Sequence, residues 1–563
     1  MRFTFGFIFF FAAIGAVAAQ DGRPAAQPAK IDWKMAGRDA AALSSDLRTE
    51  AGPPLGAEKS RRIAESFQQY AEQDGTLALA RLNEIVSEGF QDVSKSRVPV
   101  LLPFDSTKFV KDRVDTSKAL KRGAEKSAQS YVAGNGRENA ALVVGPSGYD
   151  AFISVSPAAV SSLKSGKSGS VTVHVSASAY TRDEGGDQGE PVPELQSLYP
   201  DLRRFPTDSD VSFVFKKYGV PYVVTVPCSD RPLRGSGLSC KAADKVAGYV
   251  ISKLQIAGGA PLSAPLQPRT EKMQTAPTGT IAPANCSTAQ TQPFSYYPAG
   301  KLMPGSDVNS LGGVKNPIVY SDTFRFPAAD CPAFANSQVF MHWGACLDKE
   351  QKLPAPKPGE PDFSDRYKSF GRYHCKQNDK RLWRVEGYPE NYSYPWRDNF
   401  CESRPGRKTA ACPGGIGHQG QDIRVNRCEL KGDRCKPGLF DVVAVEDGTA
   451  LTLQGDSNNQ ITLTVDKGNG DKMYYLYLHT TRESQASNGL IPGKPLAVKR
   501  GQILAKAGNF LGKVNGTTTH LHFEARPQRY VPASPYMTLV RSYERLLGAT
   551  GTEIAETSAN APH

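Results

Sequence analysis

Four of the eight histidines in this 563-residue chain lie between residues 418 and 522, and their spacing constrains the fold more than any other feature. His520 and His522 stand two apart in His520-Leu-His-Phe-Glu524. A strand points such residues to one side, because its side chains alternate with a period of two. His479 ends a second strand-like run, Met473-Tyr-Tyr-Leu-Tyr-Leu-His479. His418 and Asp422 stand four apart in Gly417-His-Gln-Gly-Gln-Asp422, a spacing that shares a face on a strand or a helix. Gly417 and Gly420 disfavour the helix and allow close backbone approach. Two histidines and one carboxylate, with a fourth position left to water, form the ligand set of a catalytic zinc site.

The phrases recur in a fixed order: His418-x-x-x-Asp422, Asp441-Val-Val-Ala-Val-Glu-Asp-Gly-Thr449, Tyr477-Leu-His479, Val498-Lys-Arg-Gly-Gln-Ile-Leu-Ala-Lys-Ala-Gly508 and Thr518-Thr-His-Leu-His-Phe-Glu524. Together they resemble the successive segments of the M23 family of peptidoglycan-cleaving metallopeptidases, the lysostaphin-like or LytM fold. The resemblance spans roughly residues 410 to 530, under a quarter of the chain. It implies an all-β antiparallel domain and one Zn2+ per chain, held by His418, Asp422 and His522. It leaves His479 and His520 off the metal, facing peptide stems and cross-links of peptidoglycan. Zinc-activated water would cut the substrate, and one free histidine would take its proton. Which of the two does so stays open, as does the scissile bond, a D-amino-acid cross-link or a glycine bridge. The chain has no His-Glu-x-x-His, so the helical zincin arrangement is missing. Glu524 reads as support for the motif rather than as the base. Two other readings stand beside the enzyme. One is a non-catalytic M23-like regulator that activates a cell-wall amidase, which the five filled positions disfavour. The other is a wall-binding scaffold.

The opening residues read as a signal peptide, 1–19. Arg2 supplies the charge, Phe3 to Ile14 a short apolar stretch, and Ala16-Val-Ala18 or Val17-Ala-Ala19 a cleavage site. The expected destination is periplasmic or extracellular, at the cell wall. No later run is long and apolar enough for a transmembrane segment. All ten cysteines follow Cys228 inclusive, and an even count in an exported chain favours disulfides, with Cys228–Cys240 and Cys428–Cys435 as local candidates. A net charge of +12 suits an anionic polymer such as the cell wall as well as a solubilising surface. Nothing resembles a nucleic-acid module, and the oligomeric state is not legible.

The chain reads as a mixed multi-domain protein. Residues 20–56 are a flexible lead-in and 57–257 an α+β domain of unknown role. In that domain Ile63, Phe67 and Tyr70 share a helix face, as do Leu79, Leu82 and Val86. Val171, Val173 and Val175 alternate with polar residues, which places His174 on an exposed face. Residues 211–215 and 222–226 flank Tyr218-Gly219 as a hairpin, and 242–254 form a helix. Residues 258–292 are a Pro/Ala/Thr-rich linker. Residues 293–405, which carry His342 and His374, are a cysteine-containing, loop-rich extension. The zinc peptidase domain is expected at 406–530, with strands over 442–445, 461–465, 473–479 and 520–525 and a turn at Gly468-Asn-Gly470. A helix at 531–548 bears Leu539, Val540, Tyr543 and Leu547 and stops at Gly548, before a disordered tail, 549–563. A fragment from about residue 293 onward is expected to fold alone.

Overall fold

The structure is a computed structural model that describes residues 27–40, 76–110, 140–259, 280–335 and 395–555, short stretches within these spans excepted, together with Glu386 and Tyr392. It is mostly antiparallel β-sheet with few helices.

The first sheet grows from runs that alternate apolar and polar residues. Its strands are β2 (Ala140–Gly145), β3 (Gly148–Val155), β4 (Val171–Ser178), β5 (Glu190–Pro191), β6 (Arg203–Pro206), β7 (Asp210–Lys217) and β8 (Val220–Pro227). They lie in the order β2-β3-β4-β8-β7-β6-β5. Tyr218 and Gly219 both take positive φ and close β7 onto β8 with Lys217 opposite Val220, the two-residue turn whose twist matches a hairpin. Val171, Val173 and Val175 point into a core shared with two helices, α1 (Thr76–Ser87) and α2 (Cys240–Lys253). Leu79, Leu82 and Val86 are the buried stripe of α1. α2 buries Ala243, Val246, Ala247, Val250 and Ile251, the spacing of one helix face, and Ser239 caps it by accepting from Ala242 N. A side pair, β1 (Val100–Leu102) with β9 (Gln255–Gly258), completes the unit.

The second sheet comprises β10 (Ala333–Ala335), β11 (Gln421–Val425), β12 (Gly448–Thr452), β13 (Ile461–Asp466), β14 (Lys472–Leu478), β15 (Leu496–Val498) and β16 (Leu521–Gln528). The order is β10-β11-β16-β14-β13-β12-β15, and Val531–Ala533 pairs back onto β16. One face packs Tyr475, Tyr477, Phe523 and Leu463 against α3 (Tyr536–Leu547), which Gly548 ends in the left-handed conformation. The described parts of the 293–405 stretch belong to this core: β10 joins the sheet edge, and Trp396 packs its ring 4.7 Å from that of Tyr543. Disulfides join Cys228–Cys240, Cys286–Cys331, Cys401–Cys412 and Cys428–Cys435. The signal segment, Ile63, Phe67, Tyr70, His342, His374, Cys346, Cys375 and the Gly468–Gly470 turn lie outside the described residues. Among the described residues no helix is long and apolar enough to cross a membrane.

The structure corrects four expectations. His174 is buried, not exposed. Its face of the first sheet carries a row of paired neighbours across five strands: Phe152, His174, Thr225, Ser212 and Phe205. That row meets the second sheet. Phe152 packs on Leu451 and Leu453, Phe205 lies 4.7 Å from the Tyr530 ring, and Thr172 and Gln454 exchange two hydrogen bonds of 3.0 Å. His174 Nε2 and Lys472 Nζ each lie 2.9 Å from the Asp150 carboxylate, so a polar face is buried because its charges are paired across the contact. The lead-in is ordered over 27–40: residues 27–28 pair with Tyr180–Thr181, residues 33–40 are helical with Asp32 accepting from Met35 N, and Ala36 and Ala40 are buried. The end of the linker stretch is tied down, with Ile281 bridged to Gln502 and Cys286 in its disulfide. In the tail, Thr552–Glu553 pairs in parallel with Ser295–Tyr296.

Candidate metal centre

Strand pairing brings the histidine phrases together. β11 and β16 are antiparallel neighbours with Asp422 directly opposite His522, a distance at which cross-strand side chains touch. A Cβ on Gly420 would stand 2.5 Å from Phe523 O and 2.8 Å from His522 Nε2, so only glycine fits there. His418 precedes the strand, its N bonded to Glu402 O and its O accepting from Cys401 N, both at 2.8 Å. A Cβ on Gly417 would meet Cys401 and Cys412, so the loop is closed tightly around that disulfide.

His479 enters by a different route. Tyr475 and Tyr477 face the core while Tyr474, Leu476 and Leu478 cluster on the other side, so alternation alone would carry His479 into the core. The strand instead ends at Leu478, and His479 takes φ +65°, a strained region for a residue with a Cβ. The turn swings its ring to 4.9 Å from His520 and 5.9 Å from His522. Asn458 O and Gly508 N bind its backbone at 2.7 and 2.6 Å and hold the conformation. A Cβ on Gly508 would lie 2.8 Å from His479 O. All five residues singled out in the sequence, His418, Asp422, His479, His520 and His522, therefore converge.

The hydrogen bonds assign each ring's proton. His418 Nδ1 lies 2.9 Å from Asn399 O and His520 Nδ1 lies 2.6 Å from Thr518 O. A carbonyl only accepts, so both Nδ1 atoms carry hydrogen and both Nε2 atoms present lone pairs. His522 Nε2 lies 3.0 Å from Glu524 Oε1, which gives that nitrogen its hydrogen and turns Nδ1 toward the cluster. His418 Nε2 and His522 Nδ1 then face each other at 2.8 Å. Asp422 Oδ1 lies 3.3 Å from His418 Nε2 and 3.4 Å from both His520 Nε2 and His522 Nδ1. Neither Asp422 oxygen has an aligned hydrogen bond from a described group. The 2.8 Å contact between the two rings needs one proton between its nitrogens, and a second proton on His522, carried on Nδ1 and shared with the lone pair of His418 Nε2, supplies it. Among the described residues, His418, Asp422 and His522 offer ligand atoms all within 4.8 Å of one another.

The electrostatics agree. Burial raises the Asp422 carboxyl, yet His520 and His418 more than offset it and hold it well below the usual carboxylate range. Burial also works against the His522 imidazolium, but Asp422 and Glu524 raise its pKa to about 10. Without metal a proton sits where a divalent cation would compete for the site. His520 is pushed down to about 3 by burial, against Asp422, and His479 falls well below its ordinary value through burial and the neighbouring histidines. Both therefore remain neutral bases at neutral pH.

Several supporting residues carry no sequence motif. Asn399 receives His418 through its carbonyl and Asp422 N through Oδ1 at 3.2 Å. Arg404 pairs with the buried Glu402 at 2.9 Å and stands 3.8 Å from Asp422 Oδ2. Glu386 accepts from Thr519 N and Cys435 N, and the buried Arg424 donates to Thr518 Oγ1. These fix the turn that carries His520. Glu524 alone of the supporting set was legible, as the residue that completes the His-x-His phrase.

No family model matches the chain, and no curated protein matches it. Two solved structures are similar in part. A protein assigned to peptidase M23 from Pseudomonas aeruginosa is 19% identical over 26% of this chain and 52% of its own length, with a TM-score of 0.15. A protein named as a glycyl-glycine endopeptidase LytM from Ruminococcus gnavus is 20% identical over 41% of this chain and 94% of its own, with a TM-score of 0.18. The chain thus spans about half the length of the first. Scores this low carry no argument, and the site has to be read from its own residues.

Proposed function

We propose that this chain is an exported zinc endopeptidase with a lysostaphin-like catalytic domain, hydrolysing peptide cross-links of peptidoglycan outside the cytoplasmic membrane. One observation carries the reading: His418 Nε2, His522 Nδ1 and the Asp422 carboxylate converge, and the outer nitrogen of each ring is already bonded. That is a two-histidine, one-carboxylate donor set with its orienting partners in place. A bound Zn2+ supplies a Lewis acid and acidifies a water. His418, Asp422 and His522 would hold the ion. His520, neutral and with Nε2 unprotonated, would take a proton from the attacking water, and His479 beside it would stabilise the developing oxyanion or return a proton to the leaving amine. The five phrases in M23 order, the disulfides and the net charge of +12 support a wall-associated substrate. The test is metal content of the purified mature protein, expected at about one zinc per chain, together with muropeptide release from sacculi. A folded, chelator-free preparation holding no zinc overturns the reading. Mass spectrometry of the new termini names the scissile bond.

A further inference from the structure

The row His522, Glu524 and Arg526 runs along the face of β16 that meets the first sheet. Glu524 Oε1 receives His522 Nε2 at 3.0 Å, while its Oε2 accepts from Arg526 Nε at 2.7 Å and lies 2.6 Å from Arg526 Nη2. Arg526 Nη1 donates to Arg529 O at 3.0 Å and lies 3.5 Å from Asp210 Oδ2. Arg529 Nη1 lies 3.6 Å from the same oxygen. Asp210 belongs to β7, on the other sheet. Oδ1 accepts from Thr207 Oγ1 in the local turn, and Oδ2 faces both guanidinium groups while accepting a longer bond, 3.4 Å, from Ser209 Oγ. All four charged residues are buried.

We propose that Asp210 is a positioning residue for the metal centre, holding His522 through Arg526 and Glu524 with Nδ1 turned toward His418 and Asp422. This rests on the zinc reading of the site. The charges argue it. Glu524 and Asp210 balance Arg526 and Arg529, so the buried group is neutral. Without Asp210 two buried guanidinium groups share Glu524 alone, and the surplus positive charge draws its carboxylate away from the imidazole. His522 then loses the acceptor that fixes its tautomer and raises its basicity, which is what makes a histidine a good ligand. A buried cation left unpaired is also costly, which gives the rearrangement its drive. The first sheet therefore enters the metal centre's own hydrogen-bond chain, although it contributes no ligand.

Zinc affinity of the full chain, measured by competition with a chromophoric chelator, tests this apart from turnover. Asp210→Asn should weaken binding by about 10–100-fold, the usual effect of losing an outer partner of a ligand. The double variant Asp210→Asn/Arg529→Gln removes one charge of each sign and should recover most of the affinity. Thr172→Val, which loosens the same contact between sheets without touching the chain of charges, should bind zinc like the wild type. Wild-type affinity in Asp210→Asn, or an equal loss in Thr172→Val, overturns the proposal. If Asp210→Asn does not fold, the double variant decides: it must fold and bind within a few-fold of wild type, and failure overturns the proposal. A wild-type chain that takes no zinc is a different result, and sinks the metal reading itself.

Discussion

Two buried clusters of histidine and aspartate lie on facing sheets, and they differ in one respect. In the first, Asp150 holds His174 Nε2 and Lys472 Nζ, both at 2.9 Å. The lysine supplies the cation, and the group is complete. In the second, Asp422 Oδ1 faces His418, His520 and His522 at 3.3–3.4 Å, and the Arg404 guanidinium stands off at 3.8 Å from Oδ2. The positive charge among the rings is a proton on His522 that a metal ion would replace. Both are buried, and the balance of donors and charges sets them apart: one carboxylate faces a lysine and the other faces three imidazoles, which marks the second as the candidate metal centre. A buried histidine says little by itself. What its other nitrogen binds, and whether a cation is already present, says a great deal.

The largest effect should come from His522→Ala. It removes a ligand atom, so zinc affinity and activity should fall together, the activity to near the uncatalysed background, as measured by metal titration beside muropeptide release. An Asp150→Asn chain should keep its zinc. If it loses the metal to the same degree, the two clusters are not functionally distinct and the comparison fails.

His520→Ala should separate binding from chemistry. His418, Asp422 and His522 stay in place, so zinc should remain, while activity falls by roughly 10²–10⁴-fold, the usual worth of a positioned acid or base. His479→Ala should act likewise, and the double variant should lose less than the product of the single losses if the pair works as a unit. Loss of zinc in His520→Ala with retention in His522→Ala would show the ligand assignment inverted, which the 3.4 Å separation of both rings from Asp422 Oδ1 makes a fair test.

Much of the site was legible and much of the frame was not. The His-x-His and His-x-x-x-Asp phrases carry short-range spacing, and period-two alternation turns spacing into direction. The hairpin at Tyr218-Gly219, the helix ended by Gly548 and two local disulfides follow from equally local rules. His174 was misread because alternation distinguishes the two faces of a strand but not which one meets water. His479 looked like the end of a strand, and only its positive φ delivers the ring to the site. Asn399, Arg404 and Glu386 come from stretches with no period, and Asp210 is more than three hundred residues from His522 in sequence. The fragment from about residue 293, expected to fold alone, would lose Cys286 and expose Leu451, Arg526 and Arg529, so it should be less stable than the whole chain.

Lys472→Met should break the completed cluster. It leaves Asp150 buried with His174 as its remaining side-chain partner among the described residues, and removing one member of a buried pair typically costs about 3–5 kcal/mol. Zinc affinity should hold, because Asp210 and Arg526 are untouched. Differential scanning calorimetry reads the loss, and an unchanged transition would mean that the two sheets do not depend on this contact.

The smallest effect is a pH dependence confined to the same cluster. Burial raises the Asp150 carboxyl, but Lys472 and His174 more than offset it and hold its pKa well below the ordinary value. Its stabilising contribution is thus fully present above the unfolded-state pKa, about 3.9, and is lost as pH falls through the folded value. His174 adds to the trend: burial lowers its pKa, so protonation below about 6.5 favours the unfolded chain. Other groups titrate in the same range, Asp422 and Glu524 among them, so the raw acid profile cannot isolate the cluster. The difference between wild type and Asp150→Asn can, since only the wild type carries this carboxylate. The wild type's advantage in unfolding temperature should be greatest near neutral pH and shrink as pH falls below about 4. An advantage that grows on acidification would mean that Asp150 is not the paired anion of the first cluster, and the contrast with the metal centre would lose its reference.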